Sequence, residues 1–164
     1  MDNEALNDLF HNPGNRQFWI VLWGDPDVDE NEGPMVYDDE VIEHWFPINL
    51  TSLRMGDICF VHRIKKANLI FVGETISEVR EATQGEIAAQ YKQGRWKWIA
   101  DFRNLTPTFG THWREAGLRT FGLNKAYNQL NPHDQLNIGA LQRGRPVRIS
   151  PGFAQFLANQ IVSL

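Results

Sequence analysis

Apolar and polar positions change period several times along this chain, and each change marks an element. Phe18 to Trp23, FWIVLW, is continuously aromatic or aliphatic, which predicts a buried strand; Gly24-Asp25-Pro26 ends it before an acidic loop at 27–33. In 38–46 the four-residue pairs Val41 with Trp45 and Ile42 with Phe46, an Asp38 or Asp39 cap and a stop at Pro47 predict a short helix with Trp45 near its end. Ile58, Phe60 and His62 then alternate with Cys59, Val61 and Arg63, a strand whose apolar face ends in an imidazole. A basic connector leads to a partner strand from Leu69 to about Val79. Gly73 interrupts it where a small barrel would bend or bulge, so closure of the sheet is expected.

The polar run 81–93 places Ile87, Ala88 and Tyr91 at helical spacing until Gly94 breaks it. Trp96 to Arg103 returns to period two, with Trp96, Trp98, Ala100 and Phe102 sharing one face. Residues 105–144 read as loop with one or two short helices. Pro146 to Ile149 reads as a final edge strand, and Ser150-Pro151-Gly152 opens a helix from Phe153 to Val162. At the other end, residues 1–15 have a weak helical pattern closed by Asn12-Pro13-Gly14 and form a cap or tail on a single domain, 16–164. These elements predict an α+β fold: a small β-barrel of five to six strands with flanking and C-terminal helices.

Composition narrows the function classes. At 164 residues the chain is one ordinary domain able to bury a core. Its apolar runs are too short to span a bilayer and its start is acidic, so a cytoplasmic protein without membrane contact is expected. A lone cysteine, Cys59, excludes an internal disulfide and a multi-cysteine zinc site; placed among core positions, it reads as an inert buried thiol. The net charge of −4 conceals an asymmetry: residues 1–60 hold 13 acids against Arg16 and Arg54, whereas 61–164 hold 14 bases against 7 acids. The basic part is therefore where phosphate contacts are sought, and Arg54, Arg63, Lys65, Lys66 and Arg95 are the candidates.

Six tryptophans are the other chemical resource. An extruded base offers two π-faces and a polar edge, and stacking on an aromatic side chain contributes about 1–3 kcal/mol per base. The competing role for each indole is core packing, which is expected to win for Trp98. The five histidines, at 11, 44, 62, 112 and 133, lack metal-ligand spacing, and His44 beside Glu43 reads as a surface residue. No phosphate loop, nucleophile elbow or H-E-x-x-H motif occurs, and no paired carboxylates precede an E-x-K tripeptide. Neither enzyme nor cofactor is expected; a metal-dependent nuclease is the one catalytic alternative.

The succession of FWIVLW, the turn HWFPINLTSLRMGD, the hairpin GDICFVHRIKKANLIFVGETISEV, the strand WKWIADF and a terminal PVRISP before a helix resembles the EVE domain. That domain belongs to the PUA-like superfamily and is close in fold to YTH domains. The likeness extends over roughly 18–162 and implies a pocket between barrel and loops that holds a nucleobase, often a modified one. By this resemblance Trp45 and Trp96 are the aromatic walls, Trp23 floors the pocket and Asn49 reads a base edge; His62 falls near the pocket mouth by register. The expected function is thus a DNA- or RNA-binding module that recognises a methylated base by an aromatic cage. It would serve as the specificity domain of a modification-dependent restriction or defence system, beside a nuclease or NTPase partner. The alternative is a protein or small-molecule interaction domain that keeps the barrel without base recognition.

Overall fold

The computed structural model describes residues 3–23, 39–63, 68–90, 94–106, 120–136 and 145–162. Among these residues seven strands, β1 (Phe18–Trp23), β2 (Val41–Phe46), β3 (Ile58–Arg63), β4 (Asn68–Thr75), β5 (Arg80–Glu81), β6 (Trp98–Asn104) and β7 (Val147–Ile149), form one curled sheet in the order β2-β6-β4-β3-β1-β7, with β5 added to β6. Four helices accompany them among the described residues: α1 (Asn3–His11), α2 (Gln84–Ala88), α3 (Thr120–Leu130) and α4 (Pro151–Val162). The fold is α+β, a half-barrel with packed helices. None of the described helices is long and apolar enough to cross a membrane.

Side-chain alternation in the strands supplies two cores. Phe18 and Ile20 of β1, Ile58 and Phe60 of β3 and Val72 of β4 face the helices, where Phe10 of α1, Tyr127 of α3 and Phe153 and Leu157 of α4 cover them. The intervening Trp19, Val21, Cys59, Val61 and Phe71 face the interior of the half-barrel with Ile42, Phe46, Ala100 and Phe102. A sheet buried on both faces needs apolar residues at consecutive positions, which is why β3 is buried throughout.

The segment 38–46 is not a helix. Its described part holds β2, which pairs antiparallel with β6 from Val41↔Arg103 to Phe46↔Trp98. Ile42, His44 and Phe46 are buried, while Val41 and Glu43 are exposed and Trp45 is half-buried. The period is two, hidden in the sequence because the middle inward position is a histidine. His44 is 1% exposed, contrary to the surface position expected for it.

The sheet curls without closing by hydrogen bonds: β2 and β7 are the ends of its path. Trp23 of β1 and His44 of β2 instead meet across the opening, ring centroids 5.2 Å apart. The irregularity expected at Gly73 falls three residues earlier in the same strand: Val61 pairs with Phe71 and His62 with Leu69, which leaves Ile70 of β4 as the extra residue. Gly73 has a different purpose. A Cβ there would lie 2.9 Å from Phe102 Cβ and 3.1 Å from Phe102 Cδ2, so the glycine lets β4 pass directly beneath that ring. Gly73→Ala is expected to overpack this contact and lower stability by about 1–3 kcal/mol, read as a lower urea midpoint with an unchanged m-value.

Candidate nucleic-acid interface

By register, the starts of β1, β3 and β6 and the ends of β2 and β4 gather at one end of the half-barrel. The turn from β2 to β3 forms its rim. Leu50 and Leu53 are buried and anchor the turn, leaving Asn49 and Arg54 exposed, with Ile48 41% and Met55 58% exposed. Gly56 takes φ +88°, a left-handed turn that glycine adopts at little cost, and its N–H donates to the Thr75 carbonyl at 2.7 Å.

Asp57, buried at the base of this turn, organises the rim. Its Oδ1 accepts from the Gln17 backbone N–H at 3.0 Å. Its Oδ2 accepts from Gln17 Nε2 at 2.9 Å, Trp19 Nε1 at 3.1 Å and the Arg54 N–H at 3.0 Å. One carboxylate thus ties the entry to β1, a core indole and the rim turn together. Sequence reading saw only a turn in Gly56-Asp57; the indole of Trp19 that needs an acceptor was the overlooked signal.

Trp45 and Trp96 belong to this end. The Lys97 N–H donates to the Phe46 carbonyl at 3.2 Å, so the two indoles are carried on adjoining backbone immediately before the donor and acceptor residues. Alternation turns Trp45 away from the interior that holds His44 and Phe46, and its Nε1 donates to Glu43 Oε1 at 2.9 Å. Trp96 is half-buried just ahead of β6. Gln90 grips its backbone from both sides, donating to the carbonyl at 2.6 Å and accepting from the N–H at 3.3 Å. The Arg95 guanidinium lies over the Trp96 ring, 5.2 Å from its centroid, a cation–π contact. Nearby, Arg80 pairs with Glu86 through two 2.9 Å bonds and holds that carboxyl down to about 2.

The remaining predicted residues lie elsewhere. Trp23, His62 and Arg63 fall at the opposite ends of β1 and β3, with Trp23 beside Arg63 and Leu22 beside His62. Trp23 is half-buried against His44 and Phe71; His62 and Arg63 are each 4% exposed. Lys65 and Lys66 lie outside the described residues, as does His112. Trp98, opposite Phe46, packs partly buried against the interior core.

His44 occupies an apolar box: its ring stacks on Phe102 at 5.1 Å and 13°, meets Phe46 edge-on at 4.7 Å and touches Trp23. Neither ring nitrogen has a hydrogen-bond partner of regular geometry, although the Leu22 backbone lies on that side. Desolvation drives its pKa down to about 3, so the imidazole is neutral. Burial also lowers His62, to about 4. Burial pushes the Cys59 thiol up, with Thr75 Oγ1 3.8 Å from its sulfur, so the thiol is inert. Among the described residues no group of three or more His, Cys, Asp or Glu is arranged to hold a metal ion.

No family model and no curated protein matches the chain. Solved structures resemble it in fold. A hypothetical protein from Leishmania major superposes with a TM-score of 0.55 at 9% identity, covering 91% of this chain and 96% of that one. Human THYN1 protein, in complex with 5-methylcytosine containing DNA, gives 0.45 at 10% identity over 88% and 97%. The YTH domain of the Zygosaccharomyces rouxii MRB1 protein, in complex with N6-methyladenosine RNA, gives 0.41 at 14% identity over 92% and 87%.

Proposed function

We propose that the chain is a nucleic-acid-binding module that takes one unstacked, methylated base at the rim bearing Trp45 and Trp96. The observation that carries this reading is the pair of half-buried indoles on adjoining backbone at one end of the β2–β6 ribbon. Exposed Asn49 supplies an amide for the base edge, and Arg54 and Arg95 supply positive charge beside the stacking surface. A methyl group favours such a site physically: it adds apolar area against the indoles and removes a base donor that an aromatic wall leaves unpaired. This role is binding rather than catalysis, and any cleavage would fall to a nuclease or NTPase partner.

Titration of tryptophan fluorescence with matched methylated and unmethylated oligonucleotides tests it. The methylated strand is expected to bind more tightly. Trp45→Ala and Trp96→Ala are each expected to weaken it by about 5- to 150-fold, the equivalent of about 1–3 kcal/mol of stacking. Equal affinity for both strands, or wild-type binding by both variants, overturns the reading. A second reading, a protein-contact surface, is favoured by exposed Ile48 and Met55 on the same rim. It predicts that Met55→Asp abolishes a protein interaction while leaving any oligonucleotide response unaltered.

A further inference from the structure

Two shallow depressions adjoin at this end of the molecule and share Arg16. One, of about 340 Å³, lies between the entry to β1, β7 and the start of α4, with Arg148 and Ser150 on its far wall. The other, of about 290 Å³, runs from the Pro13 turn to the rim and includes Arg54 and Met55. They adjoin at Arg16, so that this groove of two parts carries Arg148 in one part, Arg54 in the other and Arg16 in both.

The donors in this groove are positioned but not used up. Gln17, fixed by Asp57 and by its 2.8 Å bond to the Ser52 carbonyl, presents Oε1 to Arg148 Nη1 at 3.1 Å and so orients that guanidinium. Arg148 has no carboxylate partner among the described residues, and neither has the Arg54 side chain. Arg16 reaches Glu74 only at 3.8 Å, and its Nε is buried with no hydrogen-bond partner. Asp57 lines the groove, and two further acids reach its lining residues: Glu74 at Arg16 and Asp134, which accepts from Ser150 Oγ at 2.8 Å. These three carboxylates stand against four arginines, Arg16, Arg54, Arg148 and Arg103, the last 3.5 Å from Glu74, so the groove keeps an excess of positive charge.

We infer that this groove is a backbone track holding phosphates of the strand whose base stacks at the rim, an inference that rests on the nucleic-acid reading above. Arg54 belongs both to this groove and to the rim turn that follows β2 and its Trp45. Guanidinium groups with free donors suit phosphate oxygens, and a strand needs several such contacts in line rather than one deep pocket. Arg16 and Arg148 thereby acquire a role that their distant places in the sequence concealed.

The test measures the salt dependence of oligonucleotide binding for wild type and for Arg16→Gln, Arg54→Gln and Arg148→Gln, with Lys125→Gln on α3 as control and urea midpoints to verify folding. Each arginine variant is expected to flatten the slope of log K against log salt by about 0.7 for a single strand or about 0.9 for a duplex. The preference for the methylated strand and the behaviour of Lys125→Gln should stay as in wild type. Slopes equal to wild type in all three variants, with the methyl preference intact, overturn the track alone. If inorganic phosphate saturates the groove while those slopes stay unchanged, the site is one for small anions and the strand assignment falls. Absence of any oligonucleotide binding by wild type at low salt overturns both readings together.

Discussion

Moving from pH 7.5 to pH 5 is expected to destabilise this protein by on the order of 2 kcal/mol for each of the buried imidazoles of His44 and His62. His44 and His62 have folded-state pKa values of about 3 and about 4, both driven down by desolvation, against an ordinary value of 6.5. The unfolded chain therefore takes up protons that the folded chain refuses. Stability from this source is complete above pH 6.5 and is lost as the pH falls toward 4 and then 3. Most carboxylates remain ionised down to pH 5, so the interval isolates the histidines. Urea denaturation at the two pH values measures the drop. His44→Phe keeps a ring in the box formed by Trp23, Phe46 and Phe102 and is expected to remove about half of it. A urea midpoint that stays flat across the interval sinks this account of the buried imidazoles.

Asp57→Ala is expected to cost about 3–5 kcal/mol, a large share of the about 5–15 kcal/mol that holds a typical domain folded. The variant strands the Gln17 N–H and amide, the Trp19 indole N–H and the Arg54 N–H, all buried or partly buried around a carboxylate that is 2% exposed. Asp57→Asn should cost less, about 1–3 kcal/mol. Its remaining oxygen can occupy the Oδ2 position, where three donors converge, leaving the amide nitrogen against the Gln17 N–H alone. Urea denaturation of both variants checks the order. An alanine variant within about 1 kcal/mol of wild type would show that the cradle is ornamental. The same loss should spread to the groove, because Asp57 is one of the two groups, with the Ser52 carbonyl, that hold the Gln17 amide against Arg148.

Where one kind of residue occupies every buried position, the elements were legible. FWIVLW could only be a buried strand; the hairpin from Ile58 through Gly73, the WIADF strand, the short strand before Ser150 and the final helix follow from local apolar pattern and breakers. β2 was not legible, because helical four-residue pairs and strand alternation coexist in VIEHWF until His44 is known to be a core residue. Nothing local announces that a histidine will sit neutral between Phe46, Phe102 and Trp23, since those rings come from three different strands. The helix α3 lay within the poorly patterned 105–144, and the rest of that stretch up to 136 is described only at its two ends.

For the candidate site, the resource was visible and the grouping was not. The sequence by itself determined the α+β class, the aromatic supply and the hairpin around which the half-barrel curls, because burial of alternating and continuous apolar runs depends on neighbours only a few residues away. Tertiary structure alone decided that Trp45 and Trp96 share one end while Trp23, His62 and Arg63 occupy the other. It alone drew Arg16, Arg54 and Arg148 along one groove. Those are consequences of strand register and of one buried carboxylate. Both are long-range pairings, which a linear pattern of residues does not encode.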